Sequence, residues 1–188
     1  MIKGRVGTKL IISQSLIELL KHTSLNNITI QKIVDNCGFT RQTFYLHFKD
    51  KYDLSYWMYK KRNDIFVDCY LDKIPWQDIL CKMLIDHNLN EKIIRGMMDN
   101  SEGNFLRECI HTYAYDTYFN IIKKRLCGNT PPNDFVFYLK LYSCGSAEMT
   151  FNWIRKGMQK SPQYIAKGLM KSMNSDLKSY LSLKNVAN

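Results

Sequence analysis

A chain of 188 residues with 45% hydrophobic content has enough apolar material for one large or two small packed domains. Lys and Arg number 27 against 17 Asp and Glu, a formal charge of +10, which favours a polyanionic partner. No apolar run approaches the roughly 20 residues that cross a bilayer. The start MIKGRVGTK also lacks a signal-peptide core, so a cytoplasmic protein with no membrane partner is expected.

The charge is unevenly placed. Residues 1–62 hold 11 basic and 4 acidic side chains, a balance of +7, and the rest of the chain holds 16 and 13, a balance of +3. Six cysteines, at 37, 69, 81, 109, 127 and 144, form no C-x-x-C pair, and four histidines show no H-x-x-x-H spacing. Neither a metal site nor a cofactor is therefore expected, and the cysteines read as reduced core thiols. No Ser-His-Asp order at a nucleophile turn, no phosphate loop and no close carboxylate pair suggests an enzyme.

In chain order, a basic arm with Lys3, Arg5 and Lys9 is either disordered or laid along a minor groove. It leads into a helix from Thr8 to His22 with Ile12, Leu16, Leu19 and Leu20 on one side. Thr29 then caps a short helix that turns Ile30, Ile33, Val34 and Cys37 inward. Gly38 ends it, because glycine accepts the left-handed conformation that closes a helix and turns the chain. Thr40 caps the next helix, whose first turn holds Arg41, Gln42 and Thr43, with Phe44 and Phe48 inward and Tyr45 and His47 to the side. Asp50 caps a long helix starting at Lys51 and running to about Leu71. Two short helices joined by a tight turn, inside the most basic part of the chain, predict a DNA-reading unit. In such a unit Arg can bridge O6 and N7 of guanine, and Gln can bridge N6 and N7 of adenine.

Further helices are predicted over Trp76–His87, Asn90–Met98, Phe105–Leu126 and Phe135–Lys156, the last capped by Asp134. Ser101–Asn104 is a polar break, and a final helix runs from Ser161-Pro162 to about Leu183. Helical periodicity prevails throughout, so the fold class is all-α with about nine helices. Its domains are expected at 1–52, a helix-turn-helix head, and 53–188, a helical regulatory and dimerisation domain. Trp76, Met83, Met97, Phe105, Tyr113 and Tyr118 are candidates for lining an adaptable apolar pocket, and ordinary core packing is the competing use of such residues. His87 and His111 are further candidates for polar ligand contacts.

The residues Ile28-Thr29, Ile33, Gly38, Thr43-Phe44-Tyr45, His47-Phe48, Lys51 and Leu54 together resemble the N-terminal domain of the TetR/AcrR family of transcriptional regulators. The resemblance implies that Thr29, Thr43, Tyr45 and Lys51 hold phosphates, while Arg41, Gln42 and Leu46 face bases and Thr40 and His47 lie at the same surface. Val34 and Cys37, where the family often has alanine, and Phe39, where it often has valine, change packing volume more than chemistry. Gly145, Trp153-Ile154, Gly157-Met158, Ser161-Pro162 and Ala166 resemble the C-terminal domain of Firmicutes regulators of this type, a group that includes the activator of the dihydroxyacetone kinase operon.

A homodimeric regulator of double-stranded operator DNA is thus expected, since one small head contacts too few bases to select a single genomic site. Pairing is expected through 134–156 and the final helix, with Gly145, Phe151, Ile154, Met158 and Leu169 at the interface. Operator affinity would respond to a small-molecule effector in the second domain. In the alternative reading, the chain acts mainly through a protein co-regulator that senses the ligand. Repressor action is the family's commoner mode, and the Firmicutes resemblance leaves activation open.

Overall fold

The computed structural model describes residues 2–98 and 104–181. Ten α-helices and one 3₁₀ turn account for its regular structure, and no strand occurs among the described residues. The backbone groups into two compact units, one of residues 1–62 and 90–106, the other of 63–89 and 107–188.

In the first unit, α1 (Ile2–Leu20) is followed by a 3₁₀ turn (Leu25–Asn27), α2 (Ile30–Cys37), α3 (Arg41–Tyr45) and the start of α4 (Lys51–Tyr70). Ile12, Leu16 and Leu20 lie on one stripe of α1 and are buried, as are Ile33 and Val34 of α2 and Phe44 of α3. The stripe follows the helical repeat, so packing these short helices together removes their apolar faces from water. Ser15 ties α1 to α2 by donating its hydroxyl to the Ile33 carbonyl at 2.7 Å. The backbone of the expected arm is already helical from Ile2, so α1 starts earlier than the expected Thr8.

Residues 90–106 also belong to this unit. α6 (Glu91–Gly96) packs on α1, and the start of α7 (Asn104–Arg125) sets the Phe105 ring edge-on to Tyr52 at 5.0 Å. Gly96 makes the α6 approach feasible, because a Cβ there would stand 2.8 Å from the Leu20 carbonyl oxygen.

The second unit holds the remainder of α4 and α7 with α5 (Trp76–Leu89), α8 (Asn133–Arg155), α9 (Pro162–Ser172) and α10 (Ser175–Leu181). α5 lies along α9, and Ile79, Ile122, Leu139, Phe151, Ile154 and Ala166 are among its most buried apolar residues. Arg125 pairs with Asp72 and donates from Nε to the Tyr180 carbonyl at 3.3 Å, tying three chain segments together.

Further boundaries in the later helices differ from expectation. The predicted last helix is two: Met173 turns extended (φ −71°, ψ 134°) and Asn174 accepts from the Leu177 N–H at 2.9 Å, capping a new helix. Residues 182–183 of that prediction lie outside the described residues. α8 begins at Asn133 without a side-chain cap, so Asp134 falls in its first turn, where its charge favours the positive end of the helix dipole. The predicted break at Ser101–Asn104 lies outside the described residues up to 103, and α7 is helical from Asn104.

Gly96→Ala should lower the melting temperature by the overpacking cost of about 1–3 kcal/mol, because the contact is with backbone that cannot rotate away. Gly7→Ala, whose new methyl meets nothing within 4 Å, should instead be neutral or stabilising by up to about 1 kcal/mol. Thermal denaturation of both variants checks the contrast.

Candidate nucleic-acid interface

Every turn of the helix-turn-helix is closed by a named polar group. The Thr29 hydroxyl accepts from the Lys32 N–H at 3.2 Å, opening α2. Gly38 closes it with φ 71°, donating its N–H to the Val34 carbonyl. The Thr40 hydroxyl accepts from the Thr43 N–H at 3.1 Å and shares a 3.0 Å bond with the Thr43 hydroxyl, opening α3 only two residues later. The turn is short because one glycine reverses the chain and one threonine restarts it.

α3 itself is a single turn and a half, too short to be stable alone. It is held by its apolar anchors: Phe44 is wholly buried, Phe48 nearly so, and their rings lie 5.8 Å apart. With those two inward, the helical repeat leaves Arg41, Gln42, Tyr45 and Leu46 exposed, Leu46 at 68% and Tyr45 at 50%. Thr43 and His47 are half-buried at the flanks. A helix that offers a guanidinium, an amide, a phenol and an isobutyl group outward from its first turn can meet base edges and phosphates together. Predicted to reach Phe48, α3 in fact ends at Tyr45, with Leu46 as its cap.

The start of α4 is fixed with equal care. Asp50 Oδ1 accepts from the N–H groups of Tyr52 and Asp53 at 2.9 and 2.8 Å, and Asp53 Oδ2 accepts from the Lys49 N–H at 2.9 Å. This reciprocal cap was signalled by the D-x-x-D spacing, which sequence reasoning used only in part. Lys51 has a task that the sequence did not reveal. Its ammonium donates to the carbonyls of Leu25, Asn26 and Ile28 at 2.8, 3.1 and 2.9 Å, crossing back over the 3₁₀ turn that precedes α2. A lysine ammonium has three donors, so these bonds compete with the phosphate contact that the resemblance implied. Lys9 lies over the rings of Phe48 and Trp57 at 5.0 and 5.7 Å, placing another cation beside α3's anchor.

Of the candidate effector residues, Trp76, Met83, Tyr113 and Tyr118 are buried in the second unit, and Met97 and Phe105 belong to the first. Met97 is fully enclosed beside α6, and Phe105 is engaged with Tyr52. In the second unit the rings of Trp76, Tyr118 and Tyr142 form a ladder at 5.6 and 5.5 Å, closed by Tyr142 donating to the Leu169 carbonyl at 3.0 Å. Burial pushes the phenols of Tyr113, Tyr118 and Tyr142 upward, so they act as neutral hydrogen-bonding groups. His87 is buried and His111 half-buried.

Of the expected interface residues, Phe151, Ile154, Met158 and Leu169 are 1%, 0%, 6% and 7% exposed within the single chain and pack in its core. Gly145 alone of the five is exposed. It belongs instead to an outward row on α8, with Phe137, Leu141 and Met149 at successive i+4 steps, which are 63%, 63% and 60% exposed. Tyr164 on α9 is 64% exposed. Between α8 and α9 runs a groove of about 360 Å³, lined by Tyr138, Leu141, Gly145, Met149 and Leu169 among others. The four-residue spacing was present in the sequence, but which side of α8 faced inward was not.

Two family descriptions match the chain: "Bacterial regulatory proteins, tetR family" over residues 13–55, and "Transcriptional regulator C-terminal region" over residues 75–175. An HTH-type transcriptional regulator of Staphylococcus aureus strain USA300 is 24% identical over 115 residues, 56% of this chain. That match covers 62% of the relative's own length. Among solved structures, the dihydroxyacetone kinase operon activator DhaS aligns with a TM-score of 0.62 at 16% identity, covering 93% of this chain and 98% of that one. A TetR transcriptional regulator from Streptococcus agalactiae aligns at 0.59 and 17% identity, covering 92% and 96%. At such identity the structures speak for the fold, while the second family description alone spans more than half of this chain. With an HTH head of the tetR family and a regulator C-terminal region in one all-helical chain, the protein belongs to the TetR family of bacterial transcriptional regulators.

Proposed function

We propose that the chain works as a homodimer that reads operator DNA with α3 and answers to a small molecule held in its second unit. The observation that carries this reading is the outward presentation of Arg41, Gln42, Tyr45 and Leu46 from a helix locked in place by Phe44 and Phe48. Arg41 and Gln42 enter the major groove first and read base edges. The hydroxyls of Thr29, Thr40 and Thr43, with Tyr45 and His47, meet the flanking phosphates. A capping hydroxyl accepts from the backbone and still has a proton to donate, so capping and phosphate contact are compatible. Lys51 serves the interface indirectly, by holding the turn before α2.

Pairing uses the outward row of α8, Phe137, Leu141, Gly145 and Met149, together with Tyr164 of α9. Apolar side chains in a continuous row gain by leaving water together, and a copy's side chain fills the α8–α9 groove. Two heads then meet successive major grooves roughly 34 to 36 Å apart. The effector is held by the aromatic interior of the second unit, near Trp76, Met83, Tyr113 and Tyr118. It regulates only through unequal affinity for the two head spacings.

Selection of binding sites from random DNA tests the reading head. Wild type should recover a two-fold symmetric site, and Arg41→Ala or Gln42→Ala should lose preference at particular positions by roughly 1 to 3 kcal/mol per bidentate contact. Equal stringency in both variants would remove base reading from α3.

Lys51→Ala should lower stability by about 1 to 3 kcal/mol, since buried carbonyls lose their donor. In chemical denaturation the midpoint falls. If stability is untouched and only the salt dependence of DNA binding becomes shallower, by about 1 in slope, the lysine is a phosphate contact instead.

For pairing, Leu141→Asp should convert dimer to monomer in sedimentation with the melting curve of the single chain preserved. Ile154→Asp should unfold the second unit, because it buries an unpaired charge. A Leu141→Asp protein that stays dimeric moves the interface to another face.

A further inference from the structure

One sulfur in the second unit stands against a base. Cys144 on α8 is exposed, and its Sγ lies 3.3 Å from Nε2 of His111 on α7. We propose that this pair is a covalent binding site for soft carbon electrophiles, α,β-unsaturated carbonyl compounds as a class, with Cys144 as nucleophile and His111 as its base.

The surroundings fit that chemistry. α7 and α8 run side by side here, and the next rung of contact, one turn along each helix, is the Arg107–Glu148 pair at 3.0 Å. That rung holds the two helices, and hence the sulfur and the imidazole, in register. It also pairs the Glu148 carboxylate, one turn along α8 from Cys144, with a cation. Exposed Lys140 precedes Cys144 by four residues, which places a cation on the adjoining turn.

The step balances without any external oxidant. With His111 protonated on Nδ1, its Nε2 accepts the S–H proton as sulfur attacks the β-carbon, and the C–S bond forms. The electron pair of the C=C bond moves towards the carbonyl oxygen, giving an enolate. The imidazolium returns the proton to the α-carbon, so the net change is addition of S–H across C=C.

Other cysteines lack this arrangement. Cys109 is buried, and burial pushes its thiol up to about 12. Cys37 donates its S–H towards the carbonyls of Ile33 and Val34 at 3.2 and 3.6 Å. Burial also raises the Cys81 thiol, with Asp78 adding to the effect. Cys69 is exposed, as Cys144 is, and provides the comparison within the same molecule.

The experiment labels the intact protein with limiting N-ethylmaleimide at neutral pH and follows each cysteine by peptide mass spectrometry. Cys144 should react faster than Cys69, by on the order of a hundredfold, the lower end of what a positioned base contributes. In His111→Gln, most of that advantage should vanish while Cys69 keeps its rate and Cys109 stays protected, which shows that the fold is intact. Equal rates at Cys144 and Cys69 in the wild type overturn the proposal without any variant. An advantage that survives His111→Gln overturns it too, by removing the base. Neither outcome bears on whether the chain binds DNA or pairs.

Discussion

The ammonium of Lys51, bonded to the carbonyls of Leu25, Asn26 and Ile28, joins the start of α4 to the turn that launches α2. Those carbonyls span the 3₁₀ turn from its first residue to its cap, and the Leu25 carbonyl also accepts from the Ile28 N–H at 3.2 Å. The cation supplies donors to three carbonyls in a partly buried place. Thr29 begins the α2 cap immediately after Ile28, so fixing the Ile28 carbonyl also fixes where α2 starts. The orientation of α3 follows in turn from Gly38, Thr40 and the burial of Phe44. A helix as short as α3 has no orientation of its own; it inherits one from this chain of constraints.

The second unit solves a different problem with the same helix, α8, serving two environments. One side of it is core, with Leu139, Phe151 and Ile154 enclosed, and the other carries Phe137, Leu141 and Met149 into solvent. Soluble helices normally place polar residues on the outward side. An outward row of large apolar groups is costly to leave wet. On the flank between these faces lie Glu148 and Cys144, tied to Arg107 and His111 of α7. Thus core, exposed apolar row and polar flank are three sectors of one helix.

The buried hydroxyls of the aromatic ladder matter for the same reason. Phenols held neutral by burial can exchange hydrogen-bond partners without changing charge, so a ligand can be recognised at little electrostatic cost. Tyr142 links that ladder to α9 through the Leu169 carbonyl, and both residues also line the α8–α9 groove.

What the sequence by itself determined was mostly local. Thr29, Gly38, Thr40 and Asp50 act on backbone groups within three or four residues, so the helix-turn-helix could be read residue by residue, and the all-helical class followed from one repeat. The family resemblance at both ends of the chain rested on the same short-range spacings. Asn174 acts just as locally, and the split of the last helix was readable from it, but the apolar repeat through Met173 masked the break. What only the tertiary structure decided depended on partners far along the chain. Lys51 meets carbonyls more than 20 residues earlier, and Cys144 meets an imidazole 33 residues away. The inward side of α8 was set by what packed against it, because a helix with apolar residues on several faces fits more than one orientation; Phe151 and Ile154 went to the core and Leu141 to solvent. Periodicity fixes which residues share a face, and only packing against the rest of the chain fixes which face is buried.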